Sequence, residues 1–222
     1  KHLLQIYDKP MIYYSISVIM LLGIKNILII TNSKFLKNYK LLLGNGKKLG
    51  IKIQYKIQNK PRGVPEAFKI SKKFLGSDPF IFLLGDNIFF GHGLIDLINS
   101  AIDNNVGCSI FSYAVKKPEN FGVIKISRFN KIEKITEKPK KFISKLAITG
   151  LYIFDHKCHE YLKKIKPSKR NELEIVSILN QYLSDSTLKN NILTRGISWF
   201  DTGNFESLLD ANILIYQSQK NN

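Results

Sequence analysis

The stretch PFIFLLG, residues 79–85, most constrains what this chain can fold into. It is apolar throughout and shows no alternation, the mark of a strand buried on both faces. A sheet covered on both faces needs helices, and the flanking sequence supplies them. Residues 10–24, PMIYYSISVIMLLGI, read as a buried helix with Asp8 and Pro10 at its start and Gly23 at its stop. NILIIT (26–31) reads as a buried strand, and a Lys-rich helix follows over 33–43. IKIQYKIQ (51–58) alternates as a half-buried strand does, and residues 61–75 turn through Gly63 into a helix. After 79–85 come a helix over 94–104 and a strand over 107–115. This alternation predicts an α/β architecture with helices on the faces of a sheet.

The second half changes style. FGVIKIS and KIEKITEKP flank RFNK as a hairpin, and AITGLYIFD (147–155) reads as another strand. NELEIVSILNQYLSD (171–185) is an amphipathic helix beginning at Asn171. Residues 191–203 read as a strand and a turn ahead of a last helix over 203–217. No repeat, linker or boundary interrupts residues 1–222, so a single domain is expected.

The net charge of +17 invites a nucleic-acid reading. Its make-up argues against one, because 30 of the 34 basic residues are lysine. Base-reading surfaces lean on the planar fork of arginine. Cys108 and Cys158 make no disulfide framework, which suits a reducing cytoplasm. The apolar run 10–24 is cut by Lys25 and is short of the ~20 residues that span a bilayer. Neither a nucleic-acid nor a membrane partner is expected.

Several residues could carry chemistry. Asp86 directly follows the strand 79–85, and ligands of open α/β sheets bind beyond the carboxyl ends of strands. It fits either a Mg²⁺ ligand, which a carboxylate shares with phosphates and water, or a turn aspartate capping the next helix. Asp201 in SWFDTG is a second candidate metal ligand, with a cap of the last helix as the alternative. Glu137 and Lys138 in ITEKP could accept a hydroxyl proton and neutralise a phosphate, or be a solvated pair. Gln58 offers a donor and an acceptor to a base edge, and Gly63 permits close backbone approach. His156, Cys158 and His159 in HKCHE fall short of a zinc ligand set. No Walker A, no G-x-G-x-x-G and no Ser-His-Asp pattern is present.

Taken in order, KHLLQIYDKPMIYY, LLGDNIFFGHG, FGVIKI, ITEKP, AITGLYIFD, KPSKRNELEI and SWFDTG resemble the glucose-1-phosphate thymidylyltransferases, a branch of the sugar-phosphate nucleotidyltransferases. The resemblance covers nearly the whole chain. It implies a Rossmann-like mixed, mostly parallel sheet flanked by helices. It implies that dTTP and α-D-glucose 1-phosphate give dTDP-glucose and pyrophosphate by in-line attack with Mg²⁺ as cofactor. It also implies a homo-oligomer, commonly a tetramer. By this resemblance Asp86 and Asp201 hold the metal, and Lys1 and Lys138 approach the phosphates. Glu137 binds glucose hydroxyls, Gly122 and Ile148 line the sugar site, and Gln58 and Gly63 read the thymine.

The chain also departs from that pattern. The family's opening strand and glycine-rich loop, GGxGTRLxPxT, are not within it, and its C-terminal helices are shortened. His2 stands where the family has Gln or Glu, Arg62 where it has an acidic residue, Pro65 where it has a small one and Phe121 where it has Tyr. Residues 1–222 alone are therefore expected to turn over weakly or not at all. A non-catalytic nucleotide-sugar binding protein is the second reading. A basic nucleic-acid binder, marked by steep salt dependence, is the third.

Overall fold

The computed structural model describes residues 1–60, 62–129, 131–168 and 171–220. Two short strands, β1 (Gln5–Ile6) and β2 (Lys9–Pro10), pair about Tyr7, whose φ is +56°. Their pairing holds Pro10 extended, so α1 (Ile12–Leu21) starts after Pro10 rather than at Asp8. Gly23, at φ +73°, closes it by donating to the Met20 carbonyl. β3 (Asn26–Thr31) leads into α2 (Ser33–Leu43), capped by the Asn32 side chain, which accepts from the Lys34 N–H at 2.9 Å. β4 (Lys52–Ile57) returns parallel to β3, residue 26 opposite 52 through 31 opposite 57. α3 (Pro65–Leu75) opens on proline, whose missing N–H costs nothing in a first turn.

β5 (Phe80–Leu83) is followed directly by a strand that periodicity did not show, β6 (Asn87–Gly91), and then by α4 (Leu94–Asp103) and β7 (Cys108–Ala114). β8 (Gly122–Ile126) and β9 (Ile132–Glu137) form the expected antiparallel hairpin; Asn130 of its turn lies outside the described residues. β10 (Leu146–Phe154) and α5 (Cys158–Lys164) come next. α6 (Ile175–Ser184) begins four residues later than expected. Asn171 sits in a turn at φ +57°, so it cannot serve as the cap, a place taken by Glu174. Lys169 and Arg170 of the KPSKRNELEI stretch lie outside the described residues. Residues 191–203 hold parts of two strands, β11 (Leu188–Ile192) and β12 (Ile197–Asp201), in different sheets. α7 (Phe205–Lys220) ends the described chain.

The main sheet is mixed, in the order β11-β7-β10-β8-β9, with β5 on the other side of β10. β11 runs parallel to β7, but β10 runs antiparallel to β5, β7 and β8. Antiparallel pairs thus outnumber parallel ones among the described residues, because this returning strand sits at the sheet's centre. β10 is buried almost throughout. Ile148, Tyr152 and Phe154 on one face meet Phe68 of α3, Cys158 of α5 and Leu179 of α6. Ala147, Leu151 and Ile153 on the other face meet Ile98 of α4 and Trp199 of β12. Phe68 packs edge-on to Phe80, Phe82 and Phe154 at 5.0–5.7 Å between ring centroids. A buried aromatic of this kind contributes about 1.5–3 kcal/mol.

β3 and β5 each pair on one side only among the described residues. Between them runs an apolar groove of about 1890 Å³, walled by Ile27, Ile29, Phe82, Ile16 and Ala67. For that reason the strand read as fully buried over 79–85, which spans Phe80–Leu83, is only half-buried. No helix among the described residues is long and apolar enough to cross a membrane.

Candidate active site

At the rim where β5 ends, the chain turns through Gly85 and Asp86 into β6. Gly85 packs closely there: a Cβ on it would lie 3.1 Å from His2 Nδ1 and 3.2 Å from Ile12 Cδ1, both of them side-chain atoms. Asp86 is thus a turn residue, but the segment it enters is a strand, and the helix-capping alternative falls away.

Its backbone carbonyl accepts from the Thr202 N–H at 3.0 Å and from the Thr202 hydroxyl at 2.7 Å. Its Oδ1 accepts from Asn87 Nδ2 at 3.2 Å, and its Oδ2 from the Lys1 ammonium at 2.7 Å. Burial pushes the Asp86 carboxyl up. The Lys1 hydrogen bond and the charges of Lys1 and His2 outweigh it, so the group lies below the ordinary carboxylate range.

Asn87 is the residue that the sequence reading passed over. It is 2 % exposed, and its Oδ1 accepts from the Gly150 N–H at 2.9 Å and from Trp199 Nε1 at 2.6 Å. One amide therefore ties β10, β12 and the Asp86 carboxylate together. The only visible signal was an Asn directly behind Asp86 at the end of an apolar run.

β12 pairs antiparallel with β6 and sets Asp201 opposite Asn87. Asp201 Oδ1 accepts from the Gly203 N–H at 3.1 Å. It does not cap the last helix, because Asn204 does so, accepting from the Ser207 N–H at 2.9 Å. Burial first, and then the negative charge of Asp86, raise the Asp201 carboxyl; Lys1 and Lys138 pull it down. Asp86 and Asp201, with Lys1 bonded to Asp86, are a donor set that would suit a cation carrying an anion. Among the described residues no group of three or more His, Cys, Asp or Glu side chains converges on a metal position. A pair of carboxylates still fits Mg²⁺, which takes one or two from protein and completes its shell with phosphates and water.

Glu137 ends β9, and Lys138 follows at φ +41°, its N–H bonded to the Phe121 carbonyl at 2.9 Å. That left-handed step breaks the strand's alternation, which would otherwise send the two side chains to opposite faces. Gly122 lies opposite Glu137 in the hairpin. A Cβ on Gly122 would meet Val176 Cγ2 at 3.1 Å, Glu137 Oε2 at 3.3 Å and Ile148 Cδ1 at 3.5 Å. The structure therefore brings Gly122, Glu137 and Ile148 together around one small space.

Gln58 and Gly63 line the groove along with Lys1 and His2. Gln58 Nε2 donates to Glu66 Oε2 at 2.9 Å and lies 3.4 Å from the Gly63 carbonyl. His2 Nδ1 lies 3.1 Å from the Tyr39 hydroxyl. Burial holds the His2 imidazole below its ordinary value and pushes the Tyr39 phenol up to about 12.

The chain matches the family model described as nucleotidyl transferase over residues 1–218. It is 44% identical over 211 residues to the glucose-1-phosphate thymidylyltransferase of Neisseria meningitidis serogroup A, covering 95% of this chain and 73% of that protein. The protein of the same name from Mycobacterium tuberculosis is 39% identical, with 95% and 73% covered. Among solved structures, one described as a glucose-1-phosphate thymidylyltransferase from Bacillus anthracis superposes with a TM-score of 0.89 at 36% identity, covering 96% of this chain and 85% of that one. A UDP-glucose pyrophosphorylase solved with UDP-glucose shares the fold at a TM-score of 0.85 and 23% identity, covering 98% and 90%.

Proposed function

The chain belongs to the nucleotidyl transferase family, and from that premise we propose that it joins dTTP and α-D-glucose 1-phosphate to give dTDP-glucose and pyrophosphate. The observation that supports this reading is the Lys1–Asp86 bond of 2.7 Å at the rim where β12 sets Asp201 opposite Asn87.

An oxygen of the sugar phosphate attacks the α-phosphorus of the nucleotide. The new P–O bond forms as the bond to the β-phosphate's bridging oxygen breaks, and pyrophosphate leaves. The substrate supplies its own nucleophile, so positioning and charge neutralisation do most of the work. Lys138 binds the sugar phosphate and aims its oxygen. Glu137 accepts hydrogen bonds from glucose hydroxyls. Lys1 faces the triphosphate, exchanging its bond to Asp86 for phosphate oxygens. Gln58 and Gly63 hold the base. Asp86 and Asp201 would hold Mg²⁺, which supplies positive charge where negative charge builds on the phosphates.

The test is pyrophosphate release by the full-length natural protein. Release that needs both substrates and is lost in Asp86→Asn supports the reading. Tight binding of dTDP-glucose without any release favours a non-catalytic nucleotide-sugar binding protein instead. We also propose that residues 1–222 on their own turn over weakly, since they include no glycine-rich backbone cradle for the triphosphate.

A further inference from the structure

The amide of Gln58 can face a base with either of its two ends, and the groups behind it decide which. Its Nε2 points at two acceptors, Glu66 Oε2 at 2.9 Å and the Gly63 carbonyl at 3.4 Å. Neither an ionised carboxylate nor a carbonyl can donate, so turning the amide over would set oxygen against oxygen. Both acceptors are also fixed in place. Glu66 sits in the first turn of α3, where the helix dipole favours a negative charge. Arg62 Nη1 lies 4.0 Å from its other oxygen. Gly63, at φ +98°, presses on the Leu173 backbone so closely that a Cβ there would lie 2.0 Å from the Leu173 carbonyl oxygen. The Leu173 N–H is bonded in turn to the Arg62 carbonyl at 2.9 Å.

We infer that Glu66 is a specificity-determining residue that acts through Gln58. It locks the amide with Oε1 on the outer edge, and so selects bases that present an imide N3–H, thymine or uracil, against cytosine. This inference rests on the nucleotide reading given above. An outward oxygen accepts from an imide N3–H. Cytosine brings a lone pair at N3, which meets that oxygen unfavourably. With an outward NH₂ the preference would reverse. Glu66 touches no substrate in this scheme, so it positions rather than catalyses.

The experiment compares dTTP with dCTP in the full-length protein and in Glu66→Gln, whose neutral amide can either donate or accept. The wild type is expected to prefer dTTP, and the preference is expected to fall by about tenfold or more in the variant, the scale of one mispaired buried hydrogen bond. The change should appear mainly as a raised KM for dTTP with kcat at saturation within about threefold, because the base is remote from the reacting phosphorus. A general structural defect would instead lower turnover with both nucleotides alike and leave their ratio unchanged; that result overturns the inference. Where that variant folds poorly, the wild type tests the premise that an outward oxygen accepts from the base. N3-methyl-dTTP, which lacks the donor, should bind at least about tenfold more weakly than dTTP, and equal binding overturns the inference. Should no nucleotide turn over, the function proposed above fails by itself. Calorimetric affinities for dTDP and dCDP, in wild type and Glu66→Gln, then decide the role of Glu66 separately.

Discussion

Asn87→Ala removes one side chain that bonds two others and a backbone N–H, and its effect can be worked out from the structure. The substitution leaves the Gly150 N–H and the Trp199 indole N–H buried without the oxygen that accepts from both. Each buried donor left unpaired costs about 1–3 kcal/mol, so the loss is roughly 2–6 kcal/mol. Against the ~5–15 kcal/mol that holds a typical domain together, that is a large fraction. Urea titration of the full-length protein, followed by Trp199 fluorescence and by circular dichroism, reads the shift in midpoint at constant slope. Asn87→Asp is the informative partner. It keeps the acceptor for both donors but sets a second carboxylate against Asp86, which raises its own folded pKa. Such a group favours the fold while protonated, so the stability of this variant falls as pH rises through the carboxylate range. A loss below about 1 kcal/mol in Asn87→Ala would refute the reasoning, since it would mean that the two donors find other partners at little cost.

Asp201 is raised by burial and by Asp86, so its ionised form works against the fold at neutral pH. Asp201→Asn should therefore melt higher at pH 7 yet release pyrophosphate about 100-fold more slowly or worse, by differential scanning fluorimetry and a coupled assay. His159 stacks on Phe80 with centroids 6.2 Å apart, and both of its buried ring nitrogens lack a hydrogen-bond partner among the described residues. Burial, and then Lys72, lower its pKa, so the unfolded chain takes up the proton first and stability falls as pH drops below about 6.5. His159→Phe should flatten that slope in melts between pH 5 and 7. Gly63→Ala adds a Cβ 2.0 Å from the Leu173 carbonyl at a φ that side chains avoid, and should cost about 2 kcal/mol or more, with weaker nucleotide binding by calorimetry.

The elements legible in the sequence were those whose own residues carry the signal. The strand Asn26–Thr31 and the helix Ser33–Leu43 fall at the expected positions, because the Asn32 cap and the terminal Gly44 are local chemistry. What failed depended on partners far along the chain. β6 could not be told from a loop, since NIFFG becomes a strand by pairing with β12. Asn171 looked like a cap because caps are read from residue type, whereas its N–H is bonded to the Ser168 carbonyl and its φ is +57°. Asp86 was found as a carboxylate after an apolar run and Asp201 as one between an aromatic pair and a glycine, but their mutual influence came only with the fold. Asn87 carried no period or motif, and its importance lies entirely in the three groups gathered around it.

The contact between Trp199 and Asn87 joins residues 112 apart in the sequence, and the strand pair that carries it brings Asp201 to Asp86. Contacts of such long range close late, because the loop entropy is spent before they form. During synthesis the sheet around β10 can assemble while the rim stays half built, with one carboxylate in place and its counterpart still untranslated. A chain cut just before Ile197 would keep most of its core and yet lack Asp201 and the strand that sets it opposite Asn87. In this protein a strand made long after Asp86 decides whether the rim around that carboxylate is completed.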